Sequence, residues 1–478
     1  MHKYQHLLWD YQNDAVGITK ATMRHNKRTV LTMPTGSGKT RTGSVISLMA
    51  MDKGNQIDVL VHREELLEQF HETLLLLGHD AEVCTSTNKN INWDAPIIIG
   101  MVETYNKRIK IHDRKPKMIM VDEAHRGEFR KILHDYDGYV LGLSATPIAS
   151  AKDKPLNDYF SACINPIKQS WLIEQKKLCQ CEYFTTAFNG KNLKKVGGEF
   201  TERSQMVEFS KPKLYKGVLR QYQLHSSGEK AICYNVNVEH SLEMHKQFTD
   251  AGIKSWHVDG KTPKDERKRI LKEFYDYVGG CVLHNVGIAT TGTDIPSVQT
   301  IILNRSTTQI SLYHQMVGRG GRVVQGSKYS FKVLDMGGNT DRFKNVGVYG
   351  HDVDWQELFN NPSGGFDGRE AKIQKKSCPQ CAKTLEGNAR KCPCCKYEFT
   401  KKQLISFAEL SRDLTLKREI IREYLPDDLK IPTGAMNYSQ LQRYAAYFGY
   451  SPKWAGIQMG IRKTRQEPKS FLHPRFKF

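Results

Sequence analysis

Short, wholly apolar runs separated by longer amphipathic stretches dominate the first third of the chain. The runs are RTVLTM (28–33), IDVLVH (57–62), PIIIGM (96–101), KMIMVD (117–122) and YVLGLSA (139–145), each ending in polar or glycine-rich residues. A strand with one wet face alternates apolar and polar positions. Unbroken apolar runs with helices between them predict a parallel sheet covered on both faces. After a less regular stretch over 150–228, broken by GGEF and SSGEK, the pattern resumes. KAICYNVN (230–237), KSWHVDG (254–260), GGCVLHNVGIATTG (279–292), TIILNRS (300–306) and FKVLDMG (331–337) continue it. Two α/β domains are therefore expected, 1–150 and 229–345, with 151–228 as a connecting segment. Glycine-rich NNPSGGFDG (360–368) reads as a linker into a cysteine-rich module over 370–400. In the remainder, 401–478, ISFAELSRDLTLKREIIREYL (405–425) and YSQLQRYAAYFGY (438–450) read as helices.

Composition changes this picture mainly through charge. With 71 Lys and Arg against 51 Asp and Glu, the formal net charge is +20, the footprint of phosphate-rich partners. The stretch 401–478 alone carries fifteen Lys and Arg against seven Asp and Glu. No run approaches the roughly 18 apolar residues of a membrane span, and MHKYQHLLWDYQ has no apolar signal core. A cytoplasmic protein with no membrane partner is expected, in which thiols stay reduced.

Five of the eleven cysteines fall in SCPQCAKTLEGNARKCPCCKYEF (377–399). Two C-x-x-C pairs, Cys378/Cys381 and Cys392/Cys395, are the ligand pattern of a tetrahedral structural Zn2+ site closed by four thiolates. A redox centre needs one such pair near a βαβ unit rather than two matched ones. Cys395 keeps the spacing of the first pair and is the expected fourth ligand, which leaves Cys394 spare. The C-Q-C at 179–181 reads as two ordinary strand cysteines.

The chemistry sits where a parallel sheet puts it, beyond the carboxyl ends of the strands. TVLTMPTGSGKT (29–40) is a strand, a glycine turn and a helix start. Thr35, Gly36, Ser37 and Gly38 would wrap backbone N–H groups around phosphates, Lys39 would reach the terminal phosphates, and the Thr40 hydroxyl would hold Mg2+. Met33 stands where the strict phosphate-loop pattern has its first glycine. IMVDEAH (119–125) ends a strand in Asp122 and Glu123, one carboxylate for Mg2+ and one to orient and deprotonate an attacking water.

MPTGSGKT, DEAH (122–125) and SATP (144–147) stand in the order of motifs I, II and III of the superfamily 2 helicases, and the chain resembles that family over about residues 4–340. GIATTGTDIPSV (287–298) resembles motif V and QMVGRGGR (315–322) motif VI. VHREELLEQ (61–69) and GMVET (100–104) resemble motifs Ia and Ib. WDYQNDAV (9–16) is similar to the segment whose glutamine reads adenine. The resemblance implies two tandem RecA-like motor domains, then a small zinc ribbon and a basic helical tail. Gln12 would read the base of ATP, Gln315 would orient water or phosphate, and Arg319 and Arg322 would be arginine fingers. Gly292 and Asp294 would link nucleotide to nucleic acid, Ser144 and Thr146 would relay domain closure, and Arg63, Thr104 and Thr290 would contact phosphates of the nucleic acid.

Within the superfamily, residues 285–322 and VLDMGGN (333–339) resemble the RadD-type DNA-repair helicases, which also carry a zinc module after the second motor domain. FGYSPKWAGIQ (448–458) is similar to tails of phage-encoded helicases. The resemblance implies an ATP-dependent helicase or translocase on single-stranded, forked or branched DNA, acting in repair, recombination or fork processing, with single-stranded-DNA-binding protein as a partner. An RNA helicase with the same motor, or the motor subunit of a restriction or defence complex, stays open.

Overall fold

The computed structural model describes residues 2–112, 114–148, 155–185, 188, 190–209, 212–287 and 295–361. Beyond these it describes short stretches between 375 and 459, among them 375–377, 384–386, 417–419, 427–429 and 435–448. The chain divides into two compact units, one of Met1–Cys181 with Phe188–Arg369, the other of Glu182–Ala187 with Glu370–Phe478.

The first unit holds two lobes. Among the described residues, the first lobe is built on β1 (Arg28–Thr32), β2 (Ile57–Val61), β3 (Glu82–Cys84), β4 (Ile97–Met101), β5 (Met118–Asp122), β6 (Tyr139–Ser144) and β7 (Ala162–Ile164). All pair in parallel, in the order β3-β4-β2-β5-β6-β1-β7. Strands β2 and β5 are buried along their whole length, as unbroken apolar runs require. Each of the five expected runs is a strand here. The sheet also takes β7 from beyond residue 150, pairing Thr29 with Ala162 through to Leu31 with Ile164.

The connecting segment supplies β8 (Gln180–Thr185) and a small antiparallel pair, β9 (Lys195–Val196) and β10 (Glu199–Phe200). The second lobe follows with β11 (Lys230–Asn235), β12 (Lys254–Val258), β13 (Cys281–Asn285), β14 (Thr300–Asn304) and β15 (Ser330–Asp335). These are parallel in the order β12-β13-β11-β14-β15. Helices Val238–Asp250, Lys264–Asp276 and Ile310–Val317 connect them, and the repeated strand–helix alternation is the reason every neighbour is parallel.

Among the described residues, ion pairs join the lobes. Lys264, Arg267 and Lys268 of the second face Glu64 (2.6 Å), Glu65 (3.4 Å) and Glu68 (2.9 Å) on the helix Glu64–Leu76 of the first. Exposed pairs of this kind contribute about 0–1 kcal/mol each, enough to bias an interface without fixing it.

In the second unit, Lys375–Ser377 and Thr384–Glu386 form an antiparallel pair that pairs Ser377 with Thr384, so the residues joining them include the first C-x-x-C. Cys378, Cys381, Cys392, Cys394 and Cys395 lie outside the described residues. The helix expected over 438–450 is present as Tyr438–Phe448. Within 405–425, read as helical, Lys417–Glu419 is instead a strand, antiparallel to Tyr183–Thr185. Local periodicity carries no record of a pairing partner so distant in sequence, and that partner sets the backbone. No helix among the described residues is long and apolar enough to cross a membrane.

Candidate active site

The turn between β1 and the helix Lys39–Met51 contains two left-handed residues, and both are glycine: Gly36 at φ 86° and Gly38 at φ 85°. A Cβ on Gly38 would stand 2.2 Å from the Gln12 amide nitrogen, so conformation and space both exclude a side chain there. Gln12 is buried beneath the loop. Its Nε2 donates to the Ser37 carbonyl at 2.9 Å and its Oε1 accepts the Trp9 N–H at 3.1 Å. The Tyr11 hydroxyl donates to the same Ser37 carbonyl at 3.0 Å, and Ser37 Oγ donates to the Pro34 carbonyl at 2.7 Å. The helix that begins at Lys39 turns the positive end of its dipole toward this braced loop, the arrangement that receives anions. Met33 is fully buried and donates its N–H to the Ser144 carbonyl at 3.1 Å, which prolongs the β1–β6 ladder at the position of the missing glycine.

Beside the loop, Lys39 Nζ lies 3.0 Å from Glu123 Oε1 and 3.5 Å from Asp122 Oδ1. Burial alone would lower the lysine pKa, but the two carboxylates outweigh it and hold it above its usual value. Burial pushes Asp122 up despite Lys39. Burial also opposes ionisation of Glu123, yet the nearer ammonium and His125 overcome it and hold that carboxyl well below the usual carboxylate range. Glu123 sits at φ 52°, a left-handed backbone that costs a residue with a side chain on the order of 1–3 kcal/mol and that clusters at active sites.

His125 extends this centre toward the second lobe. Its Nδ1 is 3.0 Å from Ser144 Oγ, its Nε2 is 3.0 Å from Gln315 Nε2, and Ser144 Oγ accepts the Thr146 N–H at 3.0 Å. A neutral imidazole protonated on Nδ1 satisfies both contacts, since the Gln315 amide can only donate. Burial keeps the ring neutral by pushing its pKa down.

Thr35, Gly36, Gly38, Lys39 and Thr40 line an open cleft. Its other walls include Asp122 and Glu123 from the first lobe and Gln315, Arg319 and Arg322 from the second. The expected phosphate cradle, carboxylates and arginines thus converge on one space between the lobes. The hydroxyl of Thr40 and the carboxylate of Asp122 are hard oxygen donors of the kind Mg2+ takes, and Asp122 Oδ1 is buried with the Lys39 ammonium 3.5 Å away.

Of the residues expected at nucleic acid, Arg63 Nη2 donates to the Gly287 carbonyl across the lobes at 3.4 Å, and Thr104 is half-buried in the helix Val102–Arg108. Thr290, Gly292 and Asp294 lie outside the described residues. Tyr11, His125 and Leu178 are the additions. His125 is the last letter of DEAH, and Tyr11 precedes Gln12 in the quoted segment. Leu178 carries no sequence signal: it forms an antiparallel bridge with Arg322, and its side chain lies 3.1 Å from the place of a Gly36 Cβ.

Comparison with known proteins agrees with this geometry. Residues 5–149 match the family described as type III restriction enzyme, res subunit, and residues 212–324 match the helicase conserved C-terminal domain, together more than half of the chain. A "51.5 kDa protein" of a Lactococcus phage (isolate 7-9) is 29% identical over 391 residues, 80% of this chain and 81% of that protein. The putative ATP-dependent helicase IRC3 of Saccharomyces cerevisiae is 29% identical over 345 residues, 66% of this chain, which spans 50% of the yeast protein. Among solved structures, a fragment of a putative HsdR subunit of a type I restriction enzyme from Vibrio vulnificus YJ016 superposes with a TM-score of 0.57. The identity is 20%, over 72% of this chain and 66% of that one, a likeness of fold.

Proposed function

Because the chain belongs to the superfamily 2 helicases, in the branch that includes restriction-enzyme motors, we propose that this ATP-dependent enzyme is a DNA translocase that couples hydrolysis to movement along DNA. The observation that carries the reading is the single cleft in which Lys39, Asp122 and Glu123 from one lobe face Arg319 and Arg322 from the other. Such a cleft acts on a nucleotide only when the lobes close, and that makes hydrolysis a mechanical step.

ATP would lie with its phosphates on the loop Thr35–Gly38 and its base toward Gln12. On binding, Lys39 exchanges its two carboxylates for the terminal phosphates. Glu123, released from that pairing, orients a water for in-line attack and accepts its proton. Thr40 and Asp122 would hold Mg2+, which neutralises charge on the phosphates. Arg319 and Arg322 stabilise the transferring phosphoryl group. The chain Thr146–Ser144–His125–Gln315 then passes the state of the first lobe to the second.

Net charge and the match to a res subunit favour DNA as the track. Arg63, Thr104 and Thr290 would grip phosphates, contacts that position the motor without reading sequence. The resemblance to RadD-type proteins supports a role in repair, recombination or fork processing, with single-stranded-DNA-binding protein as a partner. The res-subunit match equally supports a restriction or defence motor. ATP hydrolysis measured with single-stranded, duplex and forked DNA and with RNA decides among substrates. Stimulation by DNA that weakens steeply with salt is expected; stimulation by RNA alone would overturn the assignment.

The module over 370–400 is read as a zinc ribbon that steadies the grip on DNA. Its support is the paired C-x-x-C spacing and the antiparallel strands flanking the first pair. One zinc per purified chain is expected, lost in the Cys378→Ser/Cys395→Ser protein. A metal-free parent protein would sink this part of the reading.

A further inference from the structure

We propose that Lys328 is the positioning residue of the catalytic arginines: its ammonium ties the end of motif V to the motif VI turn and so sets where Arg319 and Arg322 stand. The inference rests on the reading of those arginines as fingers.

Lys328 is 6% exposed. Its Nζ donates to the carbonyls of Pro296 at 2.9 Å, Gly320 at 2.6 Å and Arg322 at 2.8 Å. Three donors meet three acceptors, the full capacity of an ammonium. All three acceptors are backbone, so the contact fixes chain geometry where an ion pair would only balance charge. Pro296 belongs to the motif V segment, two residues beyond Asp294, while Gly320 and Arg322 are the turn that carries the arginines. One side chain thus clasps the two segments that respectively approach nucleic acid and nucleotide.

The clasp has a rigid base and a back wall. Val324 and Lys328 exchange both backbone hydrogen bonds, at 3.1 and 2.9 Å, around Gly326 at φ 79°, which fixes the root of the lysine. On the opposite side the connecting segment holds the same turn. The Cys179 N–H donates to the Gly321 carbonyl at 2.8 Å, its Sγ donates to the Arg322 carbonyl at 3.1 Å, and Leu178 bridges Arg322. Every carbonyl from Gly320 to Arg322 is therefore occupied from one side or the other.

Burial pushes the Lys328 pKa down to about 8, with Arg322 adding to the fall and Cys179 opposing it. The Phe331 ring, 6.0 Å away, does not titrate, and the Tyr349 hydroxyl against this turn donates to the Cys179 carbonyl at 3.1 Å. Burial raises the Cys179 thiol, with Lys328 opposing the rise. The unfolded chain keeps its lysine proton to about 10.4. Between these values the unfolded state binds more protons, so raising the pH favours the folded state. A fall in kcat above pH 8 is then loss of the clasp and not loss of the fold.

The test is kcat and KM for ATP, with DNA present, from pH 6.5 to 9.5 in the full-length parent, Lys328→Met and Arg322→Ala, with Tm recorded at each pH. The parent is expected to lose kcat above about pH 8 while its Tm holds. Lys328→Met is expected to be low throughout, by about 10²-fold, the scale of a misplaced reacting group. Its KM should stay within about threefold and its profile should lack the alkaline fall. A flat parent profile, or parental kcat in a folded Lys328→Met, overturns the inference. If Lys328→Met does not fold, the parent profile alone decides. If Arg322→Ala keeps parental kcat, the assignment of the finger fails instead.

Discussion

Glu123→Gln is expected to lower ATP hydrolysis by about 10²–10⁴-fold, the contribution of a positioned general base, with ATP binding and fold retained. The substitution is close to isosteric, so the backbone held at φ 52° and the contact to His125 Nδ1 at 3.3 Å keep their shape. What is lost is the charge that lets Glu123 accept a proton. Lys39→Ala acts differently. It removes the ammonium that lies 3.0 and 3.5 Å from two buried carboxylates, so Asp122 and Glu123 then repel each other and each takes up a proton more readily. Both proteins should be inactive, but only Lys39→Ala should also lose affinity for ATP, because only it removes a phosphate contact. A fluorescent ATP analogue with a hydrolysis assay separates the two. Nucleic-acid-stimulated turnover in either would contradict the site.

Arg322→Ala is the second large expectation. A finger residue contributes about 10³–10⁵-fold to kcat, and the loss should appear there with little change in ATP affinity. The substitution is clean because the bonds that hold residue 322 in place are backbone bonds. The bridge to Leu178 and the carbonyl that accepts from Cys179 and Lys328 survive truncation to alanine. The arginine stem runs past the phosphate loop, with its Cγ 3.6 Å from the place of a Gly36 Cβ. Unchanged turnover would move the finger to Arg319.

The strands of both lobes were legible because burial on both faces leaves an unbroken apolar run, a signal strong enough to survive without neighbours. The phosphate loop was legible because Gly36 and Gly38 adopt conformations few other residues can take. Met33 was the departure, and the structure explains it by a ladder hydrogen bond to Ser144 rather than a phosphate contact. The connecting segment was not legible. Leu178 and Cys179 look like ordinary apolar positions, and only the fold brings them to Arg322 and Gly36. Lys328 was hidden for the same reason, since its three acceptors are carbonyls and leave no trace in side-chain chemistry. The strand Lys417–Glu419 was read as helix because its partner, Tyr183–Thr185, lies far earlier in the sequence.

Movement along DNA is the central claim, and displacement of a triplex-forming strand from duplex DNA tests it most directly. The full-length protein is expected to displace the third strand only with hydrolysable ATP, and Glu123→Gln is expected to displace none. DNA-stimulated hydrolysis with the third strand left in place would contradict the claim that the cleft drives a translocating motor.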